Sequence, residues 1–299
     1  MTSAIMDLEG NNVGIEGHRN RFSREGEGPI GMSDNILSTV SYLAHKKFRL
    51  FEENGTILEL YFLAPAAVRY TESGVDEDSP FRSVCGYRAY SLRKSIYFLD
   101  LVVSYGCTKS VSVIMDTAEG IATIITAVLP TAEKMSIPLL DRAKYDLPLT
   151  VVNMEIRHAR INAPFSSTTK RHMETSDLIG QRILFSYSPS GSYEHIYLNQ
   201  QLYCWHCVEG NEKGLSDTDR CYYLKIADYL YCFIWIEKII PTLGVVVEDL
   251  DIMHSYGKLY GYDNYETGKV SNFAINAYAT FLNRTGYPEN NLIFENEGL

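Results

Sequence analysis

The amino-acid sequence predicts a mainly β chain built as two related antiparallel β-barrels with few short helices. Three observations carry that reading. Apolar residues recur with a period of two along most of the chain, turn signals separate short runs at even spacing, and one series of elements occurs twice. Closure into barrels is the expected outcome, because it leaves no unpaired strand edge exposed.

The 299 residues are 45% hydrophobic and 12% aromatic, enough to bury one large core or two ordinary ones. The formal charge of −10 repels phosphate backbones and anionic headgroups, so neither nucleic acid nor a membrane surface is an expected partner. No apolar run reaches the roughly 18 to 20 residues that a spanning helix needs. Residues 1–31 lack the apolar stretch of a secretory signal, and Asp7, Glu9, Glu16, Glu25 and Glu27 argue against a mitochondrial presequence. They read as a flexible extension of a cytoplasmic protein, in which the six cysteines are expected to stay reduced.

The first barrel is assigned to residues 32–162. A helix is expected over Asn35–His45, where apolar residues are spaced by three and four. Phe48–Glu53, Asn54-Gly55 and the following ILELYFLA run read as a hairpin with a type I′ turn, since Asn-Gly tolerates two positive φ angles. Strands are expected at Phe81–Leu92, Ser95–Ser104, Val111–Asp116, Ile121–Leu129 and Val151–Asn162. Residues 163–176, with a proline and a Ser/Thr cluster, read as the linker.

The second barrel is assigned to residues 177–299. It restarts with a strand at Leu178–Tyr187, a turn at Ser188–Gly191, and a hairpin of Tyr193–Asn199 with Gln201–Val208. A charged loop, Glu209–Arg220, follows. Strands are expected at Cys221–Glu237, Thr242–His254 and Lys258–Tyr262, and a helix at Ser271–Leu282. The series starting at Tyr90 (YSLRKSIYFLD) is echoed by the one at Tyr223 (YLKIADYLYCF). Each leads to a Val-rich run ending in an acid, Val111–Asp116 and Val245–Asp249, which suggests a duplicated barrel.

The second half holds the densest set of residues able to do chemistry. Strand alternation places Tyr193, His195 and Tyr197 on one face, and Tyr203, Trp205 and Cys207 on another. Tyr229, Tyr231, Phe233, Trp235 and Glu237 fall on a third, opposite a purely apolar face. Aromatic rings ending in a carboxylate suit a cavity wall, with His195 and Glu237 as the catalytic pair. Tyr193, Tyr197, Tyr203, Trp205, Tyr231, Phe233, Trp235 and His254 are the expected substrate contacts. Burial would raise the pKa of Glu237 and lower that of His195, bringing both toward the range where proton transfer works. Strand aromatics and histidines also serve as ordinary hydrogen-bonded structure, and that reading stays open. His158, between Arg157 and Arg160, reads as a solvated strand end, with carboxylate binding as its alternative.

Other chemistries lack their motifs. Cys204 and Cys207 are three apart on a strand and point to opposite faces, so no zinc site is expected. GxGxxG, GxxxxGK[ST] and GxSxG do not occur, and no cofactor is expected.

The segments Leu178–Arg182, Tyr193–Tyr197, Tyr203–Trp205, Leu230–Pro241 and Gly257–Asp263 resemble the molybdenum cofactor biosynthesis protein F (MoaF) family. The first half resembles that family's N-terminal domain through the hairpin near Gly55 and the barrel pattern. The resemblance implies two lipocalin-like, calycin-type barrels and no defined reaction. An eight-stranded barrel has room for one small ligand. The expected partner is therefore a small apolar organic substrate, and a homodimer stays open. The residues point to a cofactor-independent isomerase, cyclase or dehydratase, with a non-catalytic carrier as the alternative, and the first half's departure from the family suggests a specialised member acting on a secondary metabolite.

Overall fold

A computed structural model describes residues 40–73, 81–105, 107–262 and 269–286. The N-terminal extension and residues 35–39 of the expected first helix lie outside the described residues. From Val40 onward that segment holds only a turn, Tyr42–His45.

Eight strands close the first barrel: β1 (Lys47–Glu52), β2 (Ile57–Ala64), β3 (Ala67–Ser73), β4 (Phe81–Arg93), β5 (Ile96–Tyr105), β6 (Cys107–Asp116), β7 (Ile121–Val128) and β8 (Asn153–Ile161). Each pairs with the next, and β1 pairs with β8. The hairpin near Gly55 forms with a different turn. Only Gly55 has positive φ, at 89°, and Glu52 donates its N–H to the Thr56 carbonyl at 2.9 Å. The loop is therefore a type I turn closed by a glycine bulge. Two short helices, α1 (Ala132–Met135) and α2 (Leu139–Lys144), cross between β7 and β8.

The second barrel repeats the plan with β10 (Gln181–Ser188), β11 (Gly191–Tyr197), β12 (Leu202–Glu209), β13 (Ser216–Ala227), β14 (Leu230–Glu237), β15 (Thr242–Asp249), β16 (His254–Tyr262) and β17 (Val270–Arg284). β17 pairs with both β10 and β16, and β12 with β13, which closes the ring. The short β9 (Met173–Glu174) adds to β13 from outside.

Three expectations are corrected here. Ser271–Leu282 is strand, not helix: Phe273, Ile275, Ala277 and Ala279 alternate toward the interior, and β17 fills the gap between two strand edges. The charged loop 209–220 gives way at Ser216 to β13, which pairs with β12. The run Cys221–Glu237 is a hairpin folded at Asp228–Tyr229, and Thr242–His254 is likewise split by a turn over Leu250–Met253.

The duplication is legible residue by residue. The β4–β5 and β13–β14 hairpins have register shifts at matching places, Ser91/Arg93 and Lys225/Ala227. Asp116 and Asp249 cap equivalent turns, their Oδ1 atoms accepting from Ala118 and Glu119 in one barrel and from Asp251 and Ile252 in the other.

The barrels pack through the outer faces of equivalent strands. Phe98, Ile114 and Ile125 of the first lie in one cluster with Cys232, Ile234, Val245 and Tyr260 of the second. Inside this contact Lys258 Nζ meets Asp100 Oδ1 at 2.5 Å, both side chains buried, and Asp100 also accepts from Arg88 Nε at 2.9 Å. Arg93 grips Asp249 with two nitrogens at 2.8 and 2.6 Å. The segment between the barrels is pinned to the first, where buried His172 bonds Thr123 at 2.8 Å.

Candidate functional site

The two interiors differ in kind. The first barrel is filled mainly by Leu58, Leu60, Val68, Leu99, Leu101, Val111, Val113, Met115 and Ile124, with Phe62, Tyr70 and Tyr87. The second holds Phe185, Tyr187, Tyr193, Tyr197, Tyr203, Trp205, Tyr223, Tyr231, Phe233 and Trp235. Both tryptophans of the chain are in this group.

Alternation on β11, β12 and β14 brings most of the expected residues together. His195 lies within a cage of rings, with centroids of Phe185, Tyr203, Phe233 and Trp235 at 4.7, 5.3, 5.6 and 6.0 Å. Phe233 and Trp235 stack at 5.3 Å. The Trp235 indole lies flat on Gly244, where a Cβ would come within 2.2 Å of the ring, so only glycine leaves it room. One cavity is lined by His195 and Glu237 together with Tyr187, Tyr193, Tyr203, Trp205, Trp235, Leu259 and Ile275. It measures about 20 Å³, space for about one water molecule, so rings nearly fill the room expected for a ligand.

The rings at this end are latched by carboxylates. The Tyr193 hydroxyl donates to Glu212 at 2.8 Å, Trp205 Nε1 to Asp219 at 3.1 Å, and Trp235 Nε1 to Glu237 at 3.2 Å. Asp219 also faces Lys238 Nζ at 3.3 Å, yet burial raises its pKa.

Burial pushes the pKa of His195 down to about 3. This is further than expected and away from neutrality: the imidazole stays uncharged across the physiological range. Its Nδ1 is buried with no hydrogen-bond partner.

Two expected contacts, Tyr231 and His254, and one residue of the expected aromatic face, Tyr229, stand elsewhere. The Tyr231 hydroxyl turns to Asp177 at 3.1 Å, at the opposite end of β14 from Glu237. Tyr229, read as part of the aromatic face, sits in the β13–β14 turn and is 63% exposed. His254 stacks on Tyr278 at 4.4 Å and its Nδ1 bonds the Tyr256 hydroxyl, on the outward side of β16. Cys204 and Cys207 do point to opposite sides, with Cys207 in the core. Among the described residues, no group of three or more His, Cys, Asp and Glu is placed to hold a metal ion.

Sequence reasoning missed two groups. Glu248, on the inward side of β15, is fully buried and accepts from the Tyr197 hydroxyl at 2.6 Å, while its Oε2 has no partner. Desolvation raises its pKa to about 8, so it is a neutral acid at pH 7. The run Val245–Asp249 is buried on both faces, which erased the alternation that would have assigned it. Arg157, read as part of a solvated strand end, points into the first barrel and meets Glu52 at 2.8 Å and Glu72 at 3.1 Å. Glu72 is also bound by Lys109 at 2.8 Å, and Glu52 is raised to about 7, chiefly by burial.

The protein is thus a tandem of duplicated eight-stranded barrels, one filled largely by aliphatic side chains and one by rings with buried proton-bearing groups. The MoaF C-terminal domain matches residues 172–285, and the MoaF N-terminal domain matches residues 27–131. Protein MoaF of Klebsiella aerogenes is 39% identical over 206 residues, covering 68% of this chain and 76% of that protein. The chain belongs to the MoaF family. A crystal structure of a candidate β-lactamase from Burkholderia vietnamiensis overlaps 37% of this chain and 100% of that one, at 10% identity and a TM-score of 0.31. No helix of the described residues is long and apolar enough to cross a membrane.

Proposed function

We propose that the second barrel admits a small, largely apolar organic substrate and converts it by cofactor-independent proton transfer, as an isomerase, cyclase or dehydratase. One observation carries this reading. His195 presents a buried Nδ1 with no partner to a ring-lined cavity that Glu237 also lines. A buried polar atom left without a hydrogen bond is costly, and a substrate group would supply the missing one.

In this reading His195 takes a proton from the substrate, Glu237 delivers its own carboxyl proton to another substrate atom, and the imidazolium reprotonates Glu237 as product leaves. Tyr193 and Tyr203 hydrogen-bond the developing oxyanion, and Tyr197, Trp205, Phe233 and Trp235 form the wall. Holding a proton on His195 at pH 7 costs roughly 5 kcal/mol in the empty barrel, at about 1.4 kcal/mol per pH unit. An oxyanion formed beside the imidazolium offsets that cost, so proton transfer is confined to the loaded site. Admission requires the latched rings Tyr193, Trp205 and Trp235 to swing away from Glu212, Asp219 and Glu237.

A carrier that only binds is the second reading, and the neutrality of His195 across the physiological range favours it. Native mass spectrometry of the purified protein, before and after denaturation, identifies a co-purifying molecule from which to assay turnover. His195→Ala and Glu237→Gln should then abolish turnover while retaining binding. Unchanged turnover in both removes them from the mechanism, and a wild type that binds without converting is a carrier.

A further inference from the structure

At the far end of the second barrel, away from the latched rings, a separate cleft of about 400 Å³ is lined by Ile183, Tyr229, Tyr231, Leu250, Met253 and Phe281, with Asp177, Gln181 and Arg284 completing it. That volume falls within the range of small-ligand pockets.

The duplication shows what is unusual about it. Tyr229 occupies the same hairpin position as Ser95, and the N–H of the residue after the partner aspartate bonds each carbonyl: Leu250 to Tyr229 at 2.8 Å, Thr117 to Ser95 at 2.9 Å. Met253 corresponds to Gly120, whose carbonyls accept from Ala279 and Ile161, each at 2.8 Å. All four have left-handed backbones, with φ of 58° and 68° at Tyr229 and Ser95, and 53° and 70° at Met253 and Gly120. Glycine takes such a backbone freely, whereas every residue with a Cβ, serine and tyrosine alike, is strained there. The second barrel thus holds two bulky residues in strained turns, and both line this one cleft. Core burial does not account for Tyr229 or for the neighbouring Phe281, which are 63% and 50% exposed.

Charge selects the ligand class. Asp177 is already held by Lys225 Nζ and the Tyr231 hydroxyl, both at 3.1 Å. Arg284 makes no ion pair or hydrogen bond through its guanidinium among the described residues. A guanidinium with no partner among the described residues, beside an apolar cleft in a chain of net charge −10, fits a planar anionic group held by two N–H donors. We propose that this cleft binds a small organic anion, its aromatic or alicyclic body against Tyr229, Met253 and Phe281 and its carboxylate or sulfonate on Arg284. The site is independent of the chemistry proposed for His195 and Glu237.

Two fluorescent probes test it. 1-Anilinonaphthalene-8-sulfonate carries the anionic group, and N-phenyl-1-naphthylamine is the same ring system without it. The parent should bind the sulfonate more tightly. Arg284→Gln, at an exposed position, should weaken the sulfonate about tenfold and leave the neutral dye within about twofold. Tyr229→Asn, a residue at ease in the left-handed region, should weaken both dyes without lowering the melting temperature. Equal sulfonate affinity in parent and Arg284→Gln, absence of sulfonate binding by the parent, or unchanged binding of both dyes by Tyr229→Asn each overturns the proposal.

Discussion

The two barrels share their strand order, their hairpin registers and their aspartate-capped turns, yet their inward faces have diverged. Leu99, Leu101 and Val103 of β5 correspond to Phe233, Trp235 and Glu237 of β14. Met115 corresponds to Glu248, and Val111 to Gly244. The outer faces of the same strands stay largely apolar, because there the barrels bury one another, with Asp100 of β5 as the exception where β14 has Ile234. The first copy keeps a mostly aliphatic interior around the Arg157, Glu52, Glu72 and Lys109 cluster, while the second fills its interior with aromatic groups. In the second barrel the face that packs against the other copy and the face that lines the proposed site are opposite sides of the same strands.

The largest expected effect comes from breaking the contact between the copies. Asp100→Asn leaves Lys258 buried without its counter-charge and should cost about 3–5 kcal/mol, read by urea denaturation. Asp100→Leu with Lys258→Met should recover most of that loss. No recovery would mean that the ion cluster is net stabilising rather than merely costly to break.

Exchanging interiors is the next test. Gly244→Val copies Val111 into the second barrel and drives a Cβ into the Trp235 ring, which should cost about 1–3 kcal/mol. Trp235→Leu alone leaves a cavity costing about 3 kcal/mol. The double variant rebuilds the Leu101–Val111 pair of the first barrel and should be less destabilised than the two losses summed. Simple additivity in this cycle would refute the correspondence.

A smaller effect depends on pH. Glu248 is protonated in the folded protein up to about pH 8 but ionises near 4.5 when unfolded. The unfolded chain binds fewer protons in that window, so stability falls as pH rises from about 4.5 to about 8. Glu248→Gln should flatten the difference in urea midpoint between about pH 5 and about pH 8.5. A slope remains from Glu52, which titrates at about 7 in the first barrel. Identical slopes in parent and variant would contradict the burial assigned to Glu248. Least of all, Lys213→Ala should change stability by less than about 0.5 kcal/mol, because its pair with Glu209 is solvent-exposed.

Much of this architecture was legible in the sequence, since a half-buried strand writes its pairing as alternation. The interior sides of β11, β12 and β14 were assigned correctly from Tyr193, His195, Trp205 and Phe233. What escaped notice had physical reasons. The turns at Asp228–Tyr229 and Leu250–Met253 contain no glycine, so two hairpins read as long strands. β3 (Ala67–Ser73) passed unassigned because only Val68 and Tyr70 mark its inner side. Phe273, Ile275 and Ala277 fit a period of two, but Ala and Asn also suit helical spacing, and only closure of the ring decides. Glu248 and Arg157 were missed because their burial depends on strands distant in the chain.

The central claim is that small-molecule binding belongs to the second barrel and not the first. Trp205 and Trp235 both line its cavity, so intrinsic tryptophan fluorescence reports on that barrel alone. Small apolar organic molecules that raise the melting temperature should be titrated while this fluorescence is followed. The account expects a saturable change in emission whose midpoint matches the affinity from calorimetry, altered in His195→Ala. A ligand that binds by calorimetry and leaves the emission unchanged would place binding outside the ring-lined cavity and contradict the account.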